Sequence, residues 1–203
     1  MALAPPPETG LTFEEFLDWL DEDTRAEWAD GEVLLTSPAS DSHQDISRFL
    51  IALLSHVAEH DDAGIVRPAA FLVRLPPPLQ RAGEPDIVFV AREHLDRLRQ
   101  TYLDGAPDLV VEIVSPESVA RDRGEKYVEY EQAGVREYWL IDRDRRQAEF
   151  YLLGADGRYR LALGGSDGEY RGTVLPRLRL EVEWLWRDRL PKLIDVLRTL
   201  ELL

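Results

Sequence analysis

The segment at residues 108–114 constrains the fold more than any other part of this sequence. Residues 109–114 form an apolar and largely β-branched run that is interrupted only by Glu112, and a proline at position 116 limits its length. Such a run is typical of a strand that is covered on both faces of a sheet. A carboxylate inside that strand is costly unless it is paired with a cation or bound to a metal ion. The segment therefore predicts a buried sheet, and Glu112 indicates either a structural ion pair or a functional site.

The neighbouring segments predict a strand, a helix and a second strand in succession. A helix over residues 118–133 ends at Gly134, and a further strand follows at 137–142. This order favours a parallel strand pair with a right-handed crossover. Upstream, residues 87–90 predict another strand, and a long amphipathic helix begins near Ser42.

The remaining segments complete the predicted fold. Residues 11–28 predict one or two short helices capped by Thr12, and residues 32–36 predict a strand. Antiparallel strands are expected near 148–153, 159–163 and 169–173, before a C-terminal helix over 191–202 whose apolar face includes Ile194. We expect an α/β (α+β) protein with a mixed β-sheet flanked by helices. Residues 1–10 are interpreted as a disordered proline-rich tail, and residues 11–203 as one domain.

Composition bears on the compartment and on the class of partner. The chain has no cysteine, which excludes disulfides and thiolate metal sites and fits the cytoplasm. Its first residues have neither the basic region nor the apolar run of a signal peptide, so we expect no membrane association. A net charge of −15 argues against loose, sequence-blind attraction to nucleic acid. It does not exclude a nuclease, because the basic residues that meet phosphate can be confined to one groove.

Two acids and one lysine are candidates for chemistry. Asp86 begins one predicted buried strand and Glu112 lies inside another, and carboxylates held on adjacent strands are suitable ligands for magnesium. Asp86 could also be an ordinary turn residue after a proline, with no part in function. Lys126 is one of only two lysines beside 22 arginines. Helical spacing places it with Tyr130 on the side that should face the sheet, although a lysine there could also extend outward to solvent.

These residues stand in a series of short motifs that resembles a known family. The series runs Glu84-Pro85-Asp86, then residues 111–118 (VEIVSPES), residues 121–126 (RDRGEK) and residues 134–142 (GVREYWLID). It is similar to the putative restriction endonuclease family of the PD-(D/E)XK nuclease superfamily. Members of that family also begin with a strand like that at 30–33 and a Ser-Pro loop, here Ser37 and Pro38, ahead of a histidine-led helix, here His43.

The resemblance implies a restriction-endonuclease-like fold and cleavage of DNA. Asp86 and Glu112 would hold Mg²⁺, or Mn²⁺ as a substitute, together with the backbone carbonyl of Ile113. Val114 occupies the position at which the superfamily has its lysine, and the resemblance implies that Lys126 fills the same space from the following helix. The products would carry a 5′-phosphate and a 3′-hydroxyl.

Several residues have two open interpretations. His43 either contacts a scissile phosphate or caps its helix, and Glu32 is either a further acid of the site or a solvated strand residue. Tyr138 and Trp139 lie in an apolar strand, so we expect them in the core and not stacked on bases. The arginine-rich run at residues 143–146 is expected to form a turn, and it could also contact a backbone phosphate.

Two other functions stay open at this point. The first is a catalytically silent binding or assembly module that keeps the nuclease fold. The second is a structural homodimer in which Glu112 and Lys126 form only an ion pair, which predicts no stabilisation by metal.

Overall fold

The computed structural model describes residues 10–21, 24–35, 40–116 and 118–203. Within them the strands, in chain order, are β1 (Ala26–Ala29), β2 (Glu32–Leu35), β3 (Gly64–Pro68), β4 (Leu72–Arg74), β5 (Arg81–Gly83), β6 (Ile87–Ala91), β7 (Tyr102–Asp104), β8 (Leu109–Ile113), β9 (Glu137–Asp142), β10 (Gln147–Leu153), β11 (Tyr159–Gly165), β12 (Glu169–Arg171) and β13 (Arg179–Glu181). The α-helices are α1 (Phe13–Trp19), α2 (Asp41–His60), α3 (Val119–Arg123), α4 (Glu125–Ala133) and α5 (Leu193–Thr199), and 3₁₀-helices span Arg92–Arg97 and Val182–Trp186. The predicted Ser-Pro loop and most of the predicted tail lie outside the described residues.

A six-stranded mixed sheet forms the centre of the protein. Its order is β11-β10-β9-β8-β6-β3, in which β8 and β9 are parallel and the other neighbours are antiparallel. Every residue of β6, β8 and β9 is buried, as the apolar run predicted. One face packs against α2 and α5, and the other packs against α4 and β4. The predicted α+β class, with a mixed sheet flanked by helices, is confirmed.

A second sheet contains the N-terminal hairpin and corrects one prediction. Its order is β2-β1-β5-β4-β7. The helix α1 is capped by Thr12, as predicted, but the rest of the segment at 11–28 was wrongly assigned as helical because β1 occupies its end. The reason is the turn at Asp30 and Gly31, whose positive φ angles of 49° and 86° suit a two-residue hairpin. This turn pairs β1 with β2.

Two helix predictions also need correction. The helix expected over residues 118–133 is broken into α3 and α4 at Gly124, where a β-carbon would lie 2.8 Å from the carbonyl oxygen of Ala120. In the C-terminal helix, Ile194 is exposed, and Val196 is buried in its place. None of the helices in the described ranges is long and apolar enough to cross a bilayer.

A buried glutamate on β9 has a purely structural environment. Glu137 is fully buried, and its Oε1 accepts hydrogen bonds from the Trp139 indole at 2.8 Å and the Tyr170 hydroxyl at 2.8 Å. Its Oε2 accepts from the backbone N–H groups of Thr173 at 2.9 Å and Val174 at 3.0 Å. Four donors therefore satisfy this carboxylate and tie the segment after β12 to the central sheet.

We expect Glu137→Gln to lower the free energy of unfolding by about 2–4 kcal/mol, because an amide NH₂ would meet two backbone donors and the charge-assisted bonds would be lost. Urea unfolding of wild type and variant measures this difference. Equal unfolding midpoints would show that the four hydrogen bonds add no net stability.

Candidate functional site

The candidate site lies in a cleft of about 610 Å³ at the ends of β6 and β8. Asp86, Glu112 and Lys126 all line it, together with residues from the N-terminal turns of α2 and from the segment that follows β8. The three residues selected from the sequence are thus brought to one place.

Strand pairing explains why the two acids are neighbours. In the antiparallel pair of β6 and β8, Ile87 lies opposite Val111, so Asp86 stands one residue further on, beside Glu112. The backbone N–H of Ile113 donates to Asp86 Oδ2 at 2.7 Å. Asp86 is therefore held against the strand that contains Glu112.

Helix α4 brings a lysine and a tyrosine to Glu112. Lys126 Nζ donates to Glu112 Oε1 at 3.0 Å, and the hydroxyl of Tyr130 donates to the same oxygen at 2.8 Å. The two donors lie four residues apart, so they share one face of the helix. Among the described residues no donor contacts Glu112 Oε2, which leaves that oxygen available to a ligand.

Lys126 is enclosed by acids from three different elements. Besides Glu112 on β8, its Nζ lies 3.5 Å from Glu27 Oε1 on β1 and 3.3 Å from Asp122 Oδ1 on α3. Only 8% of the lysine is exposed, so it does not extend outward to solvent. Arg121 forms an additional ion pair with Glu27 at the edge of this group.

Burial and charge shift the pKa values of Glu112 and Lys126 upward. Burial is the largest cause for Glu112, and the repulsion from Asp122 and Asp86 adds to it, so that its pKa reaches about 8 despite attraction to Lys126. Burial alone would lower the pKa of Lys126, but the attraction of Glu112, Glu27 and Asp122 outweighs it and raises that pKa above its ordinary value. The lysine is therefore a permanent cation in a group with an excess of negative charge.

Of the two supporting residues predicted from the sequence, His43 and Glu32, only His43 lines the cleft. His43 lies in the cleft, and its Nε2 is 3.1 Å from Asp86 Oδ1. The helix cap is formed by Ser40, whose hydroxyl accepts from the backbone N–H of His43 at 3.2 Å. Glu32 is exposed on β2 and is not brought into the group.

The sequence analysis missed two residues of the group, Glu27 and Asp122, and named Tyr130 only as a neighbour of Lys126 on one face of the helix. Glu27 was hidden because its segment was assigned as helical, and the Asp-Gly pair at positions 30 and 31 was the available signal for a hairpin. Asp122 lies four residues before Lys126, and Tyr130 lies four residues after it. Because residues four apart share one face of a helix, an inward-facing Lys126 predicts that both are its neighbours.

Tyr138 and Trp139 are fully buried in the core, as expected, and the run at 143–146 forms a turn.

The donor set fits a hard divalent cation such as Mg²⁺. The carboxylates of Asp86 and Glu112 and the carbonyl of Ile113 offer the oxygen atoms that such an ion prefers, and three carboxylates surround the single ammonium of Lys126. No group of three or more histidine or acidic side chains that could hold a metal ion occurs within the described ranges. Two carboxylates are nevertheless enough for Mg²⁺, because this ion usually keeps several of its waters.

The raised pKa of Glu112 predicts how stability depends on pH in metal-free buffer. Between pH 4.5 and about 8 the folded state retains a proton on Glu112 that the unfolded state releases. The contribution of Glu112 to stability is therefore present at low pH and is lost as pH rises through this window. We expect the stability of Glu112→Gln relative to wild type to increase from pH 5 to pH 8 and then to level off. Urea unfolding in EDTA across this range measures it, and a pH-independent difference would contradict it.

Comparison with known proteins identifies the family of the chain and supports its fold. A family model named Uma2 and described as "Putative restriction endonuclease" matches residues 13–183. A solved structure, that of a putative nuclease belonging to DUF820 from Anabaena variabilis ATCC 29413, superposes with a TM-score of 0.72. It is 17% identical in sequence, and the alignment covers 87% of this chain and 98% of that one, so it supports the fold. No curated protein matches the chain.

Proposed function

Because the chain belongs to the Uma2 family, which is described as putative restriction endonuclease, we propose that it is a metal-dependent endonuclease that hydrolyses DNA phosphodiester bonds. Family membership supports a nuclease-like function. The observation that carries the finer proposal is the contact of Lys126 Nζ with Glu112 Oε1 at 3.0 Å, one residue from the Ile113 N–H that binds Asp86. Together these two hydrogen bonds bring the two acids and the lysine into one group, which is suited to phosphodiester hydrolysis.

Asp86, Glu112 and the carbonyl of Ile113 are the proposed ligands of Mg²⁺. When bound, the ion would lower the pKa of a water molecule and offset charge on the phosphate. Tyr130 and Lys126 fix Glu112 through its Oε1, so that Oε2 is presented to the ligand side. The N–H of Ile113 fixes Asp86 in the same way. Both carboxylates are thereby preorganised before substrate binds.

Lys126 acts in this proposal as a fixed positive charge. A general base works best with a pKa near the operating pH, and the carboxylates around Lys126 raise its pKa away from that range, which favours a charged role. Its ammonium group instead donates a hydrogen bond to the attacking water and stabilises the negative charge that develops on the phosphorus oxygens. The water oxygen bonds to phosphorus and loses a proton to solvent as the bond from phosphorus to O3′ breaks, and O3′ takes up a proton from solvent. The products are a 5′-phosphate and a 3′-hydroxyl.

A plasmid assay tests the proposed activity. Supercoiled DNA is incubated with the full chain in EDTA, Mg²⁺ or Mn²⁺, and the nicked and linear forms are quantified on a gel. Cleavage is expected with either metal and not with EDTA. Intact plasmid under all conditions, from protein whose folding has been verified, would support the silent binding or assembly module instead.

Metal binding also predicts a stability change that does not depend on turnover. At a metal concentration a hundred times the dissociation constant, stabilisation is about 2.7 kcal/mol, which for a protein of this size raises the melting temperature by about 5–10 °C. Thermal melts with and without Mg²⁺ or Mn²⁺ measure this shift, and Glu112→Gln should reduce it. Identical melts at every metal concentration would favour a purely structural ion pair between Glu112 and Lys126.

A further inference from the structure

The cleft is lined by acidic side chains and by three arginines. Its floor is formed by the buried carboxylates of Glu27, Glu112 and Asp122, beside the half-buried Asp86. The exposed Asp144 also lines the cleft, and the arginines are Arg25, Arg121 and Arg143. Arg121 is already engaged by Glu27 and lies 3.8 Å from Glu125 Oε2. Its charge is therefore largely offset within the protein.

Arg25 and Arg143 differ from most arginines of the chain in their partners. Among the residues that the structure describes, neither is paired with a carboxylate. Arg143 makes one long contact, 3.5 Å from its Nη2 to the carbonyl oxygen of Arg187. Arg25 is exposed and acts on Glu84 only through its charge, where it partly offsets the rise that burial causes in the pKa of that carboxyl. Within the described part of the chain, both guanidinium groups therefore have hydrogen-bond donors that no carboxylate accepts and that an anion could bind.

The two arginines come from different sheets. Arg25 directly precedes β1 of the five-stranded sheet, and Arg143 directly follows β9 of the six-stranded sheet. Both sheets also contribute to the floor, through Glu27 and Glu112. A chain that crosses this floor could therefore be held from both sheets at once.

We propose that Arg25 and Arg143 bind two backbone phosphates of the nucleic acid on either side of the phosphodiester to be cleaved. The inference rests on the proposed function and names residues for substrate binding that the acidic group cannot supply. The net charge of −15 makes long-range attraction of DNA unfavourable, so local phosphate contacts must provide the affinity. Because a phosphate carries no sequence information, these contacts bind DNA of any sequence.

The test measures binding in the absence of cleavage. The parent protein is Glu112→Gln, which lacks the proposed metal ligand, and the probe is a fluorescent 20-base-pair duplex of mixed sequence. Arg25→Gln and Arg143→Gln are compared in this parent by anisotropy between 50 and 200 mM NaCl. Arg198→Gln on α5 is the matched control, since Arg198 is exposed and lies outside the cleft lining.

Each cleft variant should reduce the slope of log affinity against log salt by about 0.9, and the Arg198 variant should leave it unchanged. The loss of affinity between 50 and 200 mM NaCl should therefore be smaller by a factor of about 3.5 for each arginine that is replaced. A second duplex of unrelated sequence should give the same losses.

Slopes equal to that of the parent, or no measurable binding by the parent, would overturn the inference. The plasmid assay keeps this failure separate from that of the proposed function. Cleavage by wild type with unaltered slopes would refute only the two arginines, whereas reduced slopes without cleavage by wild type would refute only the nuclease activity.

Discussion

Glu112→Gln should reduce cleavage of plasmid DNA by at least about a thousandfold while the protein remains folded. The amide removes the charged oxygen that is the proposed metal ligand, and a bound cation contributes several kcal/mol of charge stabilisation in the transition state. Glutamine keeps the shape of the side chain and can still accept hydrogen bonds from Lys126 and Tyr130. The measurement is the single-turnover cleavage rate at saturating Mg²⁺.

Glu137→Gln is the matched control for this result. Both glutamates are buried on neighbouring parallel strands, but Glu137 is satisfied by four donors and lies outside the cleft lining. The control variant should be less stable and should cleave at the wild-type rate at a temperature at which it is folded. If Glu112→Gln retained more than about a tenth of the wild-type rate, the proposed ligand role of Glu112 would be wrong.

Lys126→Arg should lower the single-turnover rate by at least about a hundredfold with little change in metal affinity. Arginine keeps the positive charge, but its planar guanidinium is wider than an ammonium and cannot reproduce a point contact to one water and one phosphate oxygen. The loss of one positioned donor commonly has an effect of this size. The three carboxylates at 3.0–3.5 Å from Nζ leave little room for the larger group.

Lys192→Arg separates the role of Lys126 from a general intolerance of the substitution. Lys192 is the other lysine of the chain, and it is exposed at the N-terminus of α5. Its variant should cleave like wild type and bind metal like wild type. Equal rates for both arginine variants would show that the ammonium at position 126 has no special part in cleavage.

The sequence predicted the central sheet well because its strands are buried on both faces. Residues 109–114 and 137–142 had few alternatives, since long apolar and β-branched runs suit covered strands. The same burial made Glu112 conspicuous. Lys126 could be placed near it because the helical repeat aligned it with Tyr130, on the side expected to face the sheet.

The N-terminal hairpin was missed because local pattern is a poor guide where strands are short. Ala26–Ala29 contains residues that tolerate a helix, and its strand state depends on pairing with β2 and β5. Glu27 was lost with it. The hairpin has two glutamates, of which Glu27 is buried and Glu32 is exposed. The periodicity of the sequence does not distinguish them, because their burial depends on tertiary contacts between the two sheets.

The position of Glu27 has a consequence for changes in chain length. Trp28 lies opposite Ala82 of β5, and this register sets the face of the sheet on which Glu27 lies. A slip of one residue would turn Glu27 to the other face, because successive side chains of a strand alternate. Insertions or deletions next to β1 that shift this pairing therefore remove an acid from Lys126, whereas the glycine-bearing turn at 154–157 can change length without reaching the cleft. Tolerance to insertion is thus unevenly distributed, and the short N-terminal hairpin is where the length of the chain is most closely tied to the site.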